Sequence, residues 1–475
     1  MQDKRRVSQS RKRKLAKVDP RTRLSASRQL YLVLSFVILF VCVFQILYLV
    51  LPKASESKVE RRKLQSFPDF TVERFASGQW HREIEAYLSD HLPFRNFFIK
   101  LDNRLKSAIA LPAVADGDEE VEIIRGEREL EDRGNQMVNP NKPKPEEPGA
   151  EQTATAKETK QSEVKGPNLA NTDGEVAFQS YALIIKGTQG MEIFNYSPES
   201  WSGYAARINY LRSVLPADIR VFSLAVPTAV AFYGPETYRQ GNYSSYDALQ
   251  QLRSELDPQV IFCDAYSHLS PHSSEYIYFR TDHHWTGRGA YYGYESFCAA
   301  AGFDPTPLEK MIVSKSEPFL GTIYANSEQN QILANNPDVC EYFRPLHVGI
   351  SEMSQSFDFS NSWQGPLLDP AQFPDYPYLG YSGGDVAVIR IKTEHQPPTN
   401  RRIGVLKDSY GNALVPFLMD HYDEVYVIDA RAFDGNLIDF ISEHQINDFL
   451  FINYTFATSN PYWLEGFDTM TGYQP

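Results

Sequence analysis

A chain of 475 residues carrying a formal net charge of −13 leaves room for several regions and is not a general polyanion binder. Its four cysteines fit no zinc framework and are too few for a disulfide-built module. The charge is unevenly placed: residues 1–29 hold 11 Lys and Arg against 2 Asp and Glu, a net of +9, which leaves −22 on the remainder. The basic end therefore reads as a topology signal, and nucleic acid is not an expected partner.

Residues 30–51 follow without a charge, about 22 residues that suffice to cross a bilayer core as a helix. Positive charge ahead of a first span keeps that end in the cytoplasm, so the bulk of the chain is expected outside. A cleaved signal peptide is the rival reading, but the apolar run is long and no clean small-x-small site follows. The expected topology is thus a single pass, with the N-terminus cytoplasmic and an extracytoplasmic body. Of the cysteines, Cys42 falls in the span, leaving Cys263, Cys298 and Cys340 outside, and three cannot all pair within one chain.

Residues 52–113 read as an extracytoplasmic helical region, with Ile84, Tyr87, Leu88, Leu92, Phe97, Phe98, Leu101, Leu105 and Ile109 in helical register. Pro93 interrupts it, and His91 beside the break reads as a junction histidine. Residues 114–175 are rich in Lys, Glu, Pro, Gln, Thr and Gly. They are read as a disordered insertion or linker, with order only near Val121–Ile124.

From 176 to 475 the composition is globular and the pattern alternates. Strands are expected at Ala182–Ile185, Arg220–Val226, Val260–Asp264, Arg402–Leu406, Glu424–Ile428 and Asp448–Asn453. Helices are expected at Ser200–Leu215, Tyr246–Leu256, Gly287–Ala301, Tyr410–Met419 and Leu437–Glu443. Residues 305–400 read as an irregular insertion with a strand-like piece at Val386–Ile391. Such alternation implies a parallel sheet covered on both faces.

Two clusters carry chemistry. Thr281-Asp282-His283-His284-Trp285-Thr286 offers a carboxylate and imidazoles; Lys407-Asp408-Ser409-Tyr410 places a hydroxyl where an apolar strand meets a helix. In open α/β sheets ligand sites form outside the carboxyl ends of strands. Asp282 and His284 are the natural orienter and base for Ser409, with the helix start near a developing oxyanion. The plainer reading makes Asp408 or Ser409 an N-cap. His283, in an extended segment, points away from His284 and reads as structural. Asp282, His283 and His284 also form a three-ligand set, the basis of a metal-dependent alternative. Two later strand ends bear Arg431, to orient a donor or polyol, and Asn453, to donate to an oxyanion; a structural role at the sheet edge suits each equally. Trp363, Phe373, Tyr376, Tyr378 and Tyr381 either stack on sugars or pack a long loop onto the core.

Tyr278-Phe-Arg-Thr-Asp-His-His-Trp-Thr286 resembles the signature of the DHHW family of bacterial membrane-anchored proteins, as do Leu406–Asn412 and Val427–Arg431. That family in turn resembles the SGNH-like alginate O-acetylation proteins, with their Thr-Asp-x-His-Trp-Thr motif and a much later strand-end serine. The resemblance implies an SGNH hydrolase-like α/β three-layer sandwich, preceded by the transmembrane helix and with its triad order permuted. It implies Asp282, His284 and Ser409 as the triad, with Lys407 where the usual glycine stands and Asn453 in the asparagine position. The implied activity is O-acetyl transfer to, or ester cleavage on, an extracytoplasmic polysaccharide. A multi-span membrane-bound O-acyltransferase would supply the acetyl group, and no cofactor or resident metal is required. A catalytically silent polysaccharide-binding or assembly subunit is the alternative from another class.

Overall fold

The structure, a computed structural model, describes residues 121–129 and 178–475 except Pro397, with scattered positions between 48 and 93. The basic tail and the apolar run 30–51, Tyr48 aside, lie outside the described residues, as do 94–120 and 130–177. Among the described residues no helix is long and apolar enough to cross a membrane. The chain divides into two units, at 1–101 and 102–475. In the first, Glu56–Ser57 pairs antiparallel with Arg62–Lys63, and His91 Nδ1 bonds the Tyr87 carbonyl at 2.9 Å.

The second unit opens with an antiparallel sheet of β1 (Val121–Glu129), β2 (Phe178–Lys186) and β3 (Gln189–Glu192). β1 falls inside the stretch read as linker and extends past Ile124. It pairs from Val121 opposite Lys186 to Glu129 opposite Phe178.

Next come α1 (Pro198–Val214), β4 (Arg220–Val226), α2 (Ser245–Glu255), β5 (Val260–Phe262) and α3 (Gly287–Ala301). Local chemistry sets their ends. Ser197 caps α1 and Pro198 opens it; Ser244 caps α2; Thr286 caps α3, which stops at Gly302 with φ of 75°. β5 ends two residues earlier than the sequence suggests, because Asp264 accepts from Ser267 N and starts a short helix.

The region 305–400, read as an irregular insertion, supplies edge strands: β6 (Ile350–Ser354), β7 (Trp363–Gln364) and β8 (Val388–Lys392). The chain then runs β9 (Arg402–Lys407), α4 (Gly411–Leu418), β10 (Glu424–Asp429), α5 (Leu437–Glu443), β11 (Asp448–Tyr454) and α6 (Pro461–Thr471). The main sheet has eight strands in the order β7-β6-β8-β10-β9-β11-β4-β5. The five from β10 to β5 are parallel, and β8, β6 and β7 add antiparallel to one side. The sheet is therefore mostly parallel, as the alternation implies, with an antiparallel edge that it did not reveal.

Near-continuous apolar runs such as Ile403-Gly-Val-Leu406 and Phe449-Leu-Phe-Ile452 are buried throughout, as strands covered on both faces must be. Helices pack in two groups, α1 with α2 and α6, and α3 with α4. Cys263, Cys298 and Cys340 are free and buried.

The last strand made, β11, lies between β9 and β4. This brings the end of β9, where the chain turns into α4, to the middle of the sheet's carboxyl edge.

Candidate active site

Ser409 follows the end of β9 and is partly exposed, in a run where residues 403–408 and 410–419 are buried. The turn that presents it is built by Asp408. Its Oδ1 accepts from Tyr410 N at 2.9 Å, its Oδ2 from Tyr454 N at 2.9 Å, and its carbonyl from Gly411 N at 3.0 Å. Tyr410 is the N-cap residue of α4, so neither Asp408 nor Ser409 has the expected capping role. Burial pushes the Asp408 carboxyl up to about 6, although the Tyr410 and Tyr454 amides, Arg431 and Asn453 all pull it down.

The second cluster reaches this turn from the loop ahead of α3. A bridge between Tyr278 and Trp285 folds the loop back on itself. Asp338 pins it, accepting from Arg280 N at 2.8 Å, Thr281 N at 2.7 Å and Thr281 Oγ1 at 2.5 Å. Trp285 Nε1 donates to the Tyr410 carbonyl at 2.9 Å, and the Tyr410 hydroxyl donates to the His283 carbonyl. Two reciprocal bonds thus lock the histidine loop to the serine turn.

Within that clamp His284 lies between acid and hydroxyl. Its Nδ1 is 2.6 Å from Asp282 Oδ1 and its Nε2 is 2.8 Å from Ser409 Oγ. Asp282 Oδ2 accepts from Thr322 N at 2.9 Å and from the Tyr376 hydroxyl at 3.0 Å. Burial alone would raise the Asp282 carboxyl. The His284 imidazole, its hydrogen bond, His283 and the Thr322 amide outweigh it and hold the group well below the usual carboxylate range. Such an arrangement can fix one imidazole tautomer and draw a proton from the serine hydroxyl.

A family model described as DHHW protein matches residues 157–428, more than half of the chain. The chain belongs to the DHHW family. A crystal structure of a DHHW family protein from Eubacterium siraeum is 33% identical, covering 61% of this chain and 95% of that one with a TM-score of 0.55. The structure of Bacillus cereus PatB1 is similar at 18% identity over 60% of this chain and 99% of that one, TM-score 0.49. The O-acetyltransferase domain of Pseudomonas putida AlgJ follows at 15% identity over 59% and 95%, TM-score 0.34. No curated protein sequence matches.

In this DHHW protein the two histidines do not diverge. The Asp282-His283-His284 segment is bent, with His284 N donating to Asp282 Oδ1 at 3.1 Å, and the imidazoles face each other 3.8 Å apart. Asp282, His283 and His284 accordingly offer ligand atoms within 4.8 Å of one another, the set a metal ion would take. Those atoms already have protein partners: His284 uses both nitrogens, and His283 Nδ1 meets Thr322 Oγ1 at 2.6 Å. A cation would have to displace these bonds.

The other two expected positions are committed elsewhere. Asn453 donates from Nδ2 to Asp408 at 3.3 Å and accepts at Oδ1 from Tyr204 at 2.8 Å, so it braces the serine turn. The Arg431 side chain is 8% exposed, with Nε and Nη2 donating to Asp429 at 2.8 and 2.5 Å and Nη2 3.3 Å from Asp385. Lys407, in the glycine position, joins them: Nζ lies 2.5 Å from Asp385 and 3.4 Å from Asp429. Two cations and two carboxylates thus close a buried cluster beneath the turn.

Of the aromatic residues considered for sugar stacking, Trp363, Phe373, Tyr378 and Tyr381 are buried and pack the loop onto the core. Tyr376 is half-buried. Sequence reasoning missed what that loop and its neighbours give the site, namely Thr322, Gly321, Tyr376 and Tyr378. No motif marks them, although the density of tyrosine after Pro374 is visible in the sequence.

Proposed function

We propose that this DHHW protein is a membrane-anchored extracytoplasmic acyl-transfer enzyme, an O-acetyltransferase or acetylesterase of a cell-surface or exported polysaccharide, working through an acyl-enzyme on Ser409. The single observation that carries the reading is His284, hydrogen-bonded to Asp282 on one nitrogen and to Ser409 Oγ on the other. Ser409 Oγ attacks the acetyl carbonyl while His284 Nε2 takes its proton. The tetrahedral intermediate collapses, and the leaving oxygen receives that proton from His284. A glycan hydroxyl, or water in an esterase, then gives its proton to His284 and attacks the acetyl-serine, and the departing Oγ takes the proton back. Asp282 holds the Nδ1–H and stabilises the imidazolium of each step. Since Asp408 binds the Tyr410 and Gly411 amides, the Ser409 amide at the head of α4 is the donor of that turn assigned to the oxyanion.

The anchor in this reading is the apolar run 30–51, which holds the domain outside the bacterial cytoplasmic membrane. An acetyl group spent there has to cross the bilayer, which fits a multi-span membrane-bound O-acyltransferase as partner.

The test is covalent labelling of the purified full-length chain by a serine-directed sulfonyl fluoride, alongside turnover of 4-nitrophenyl acetate. The wild type is expected to be labelled on Ser409 and to turn over the ester, and Ser409→Ala to do neither. An inert wild type, or an active Ser409→Ala variant, rejects the proposal.

A further inference from the structure

The triad acid has a partner that neither motif contains. Tyr376 sits on the segment 369–381, tied down by Asp369, whose Oδ1 accepts from Ala371 N at 3.0 Å and whose amide donates to the Gly380 carbonyl at 3.0 Å. From there the Tyr376 hydroxyl lies 3.0 Å from Asp282 Oδ2, the carboxylate oxygen not bonded to the imidazole, and 3.2 Å from His284 Nδ1. The same segment lays the Tyr378 ring against the His284 imidazole. The side chain of Asp282 is fully enclosed, whereas Tyr376 is half-buried.

We propose that Tyr376 is a positioning residue of the site, its hydroxyl fixing the Asp282 carboxylate and setting how strongly that carboxylate supports a proton on His284. The inference rests on the acyl-enzyme reading and deepens it. The carboxylate has a limited supply of negative charge to share among its donors. An O–H bond to Oδ2 draws charge away from Oδ1, which faces Nδ1 of the imidazole. Removing that bond while leaving the ring returns the charge to Oδ1, so the imidazolium is better stabilised and His284 holds its proton to higher pH. The other ionisable groups facing this pair are His283 on the same loop, Tyr378 on the tyrosine segment, Cys340 and Tyr410. None of them is altered by Tyr376→Phe.

The experiment compares the wild type with Tyr376→Phe, as full-length proteins, in 4-nitrophenyl acetate turnover across pH 5 to 9. Tyr376→Phe is expected to lower kcat several-fold with KM within two-fold of wild type, and to move the acidic limb of kcat/KM upward by a few tenths of a pH unit. The melting temperature of both proteins is measured in parallel. A Tyr376→Phe variant whose acidic limb stays in place or moves down overturns the inference, whatever its melting temperature, because a residue that only packs the loop leaves the limb where it was. A wild type without turnover or labelling overturns the acyl-enzyme reading instead, so the two failures are told apart.

Discussion

The Tyr378 ring lies nearly flat on the His284 imidazole, centroids 3.9 Å apart at 19°, while its hydroxyl donates to the Ser409 carbonyl at 3.0 Å. One fully buried side chain therefore fixes the plane of the His284 ring and the backbone of Ser409 together. Tyr378→Phe keeps the stack but loses the bond to the Ser409 carbonyl, with an expected cost of about 1 kcal/mol in stability. Tyr378→Ala opens a cavity against the imidazole, with an expected loss of about 3–5 kcal/mol in stability. Urea denaturation measures that loss, and sulfonyl fluoride labelling of Ser409 is expected to slow in the same variant.

Gly321 lies where no side chain fits. A Cβ there would come 2.3 Å from Asp282 Cβ and 2.5 Å from its Oδ2. Gly321→Ala must push the acid off the Thr322 amide and out of line with His284. Misplacing a catalytic group by an ångström costs on the order of 100-fold, so kcat is expected to fall by about that factor. Steady-state kinetics beside a thermal melt check it, since the substitution is small and its backbone φ is ordinary.

Lys407 ends β9 with its ammonium buried between Asp385 and Asp429, and Asp385 also accepts from Asn412 Nδ2 at 3.0 Å. Removing one partner of such a cluster strands a charge, at an expected cost of about 3–5 kcal/mol for Lys407→Met. Pairing it with Asp385→Asn restores the charge balance around Arg431 and should recover part of the loss. Denaturation of the two single variants and the double variant gives the coupling directly.

Two carboxylates give opposite pH dependences. Burial raises Asp408 to about 6, above its free value of 3.8, so its contribution to stability is full below about pH 4 and is lost as the pH rises through 6. The difference corresponds to about 3 kcal/mol. Asp282 is held well below its free value, so its contribution is present above about pH 4 and is lost as the pH falls further. Denaturation midpoints between pH 7 and 3 should therefore flatten from pH 4 to 7 in Asp408→Asn, and below pH 4 in Asp282→Asn.

The helix bounds at Gly287–Ala301 and Leu437–Glu443 were legible because caps and apolar spacing agree there. The parallel core was legible because strands buried on both faces are apolar without interruption. The pairing of His284 with Ser409 was foreseeable from residue types and from the family resemblance, but not the bend that turns His283 toward His284. That bend depends on Asp338 gripping the Arg280 and Thr281 amides from 57 or more positions away. The roles of Asn453 and Arg431 were not legible, since an amide or guanidinium at a strand end reads alike whether it faces a substrate or a buried carboxylate. Nor was the tyrosine segment, whose order comes from tertiary contacts rather than from any period in its sequence.

The place of β11 has a consequence for how the molecule comes into being. It is the last strand of the sheet to leave the ribosome, yet it joins β9 to β4, and its end supplies the Tyr454 amide and Asn453 that hold Asp408. A nascent chain halted before residue 448 already carries Asp282, His284 and Ser409. It still has a gap in the middle of its sheet and lacks the bonds that brace Asp408. Translation order alone therefore leaves the Ser409 turn without its brace until β11 has been made.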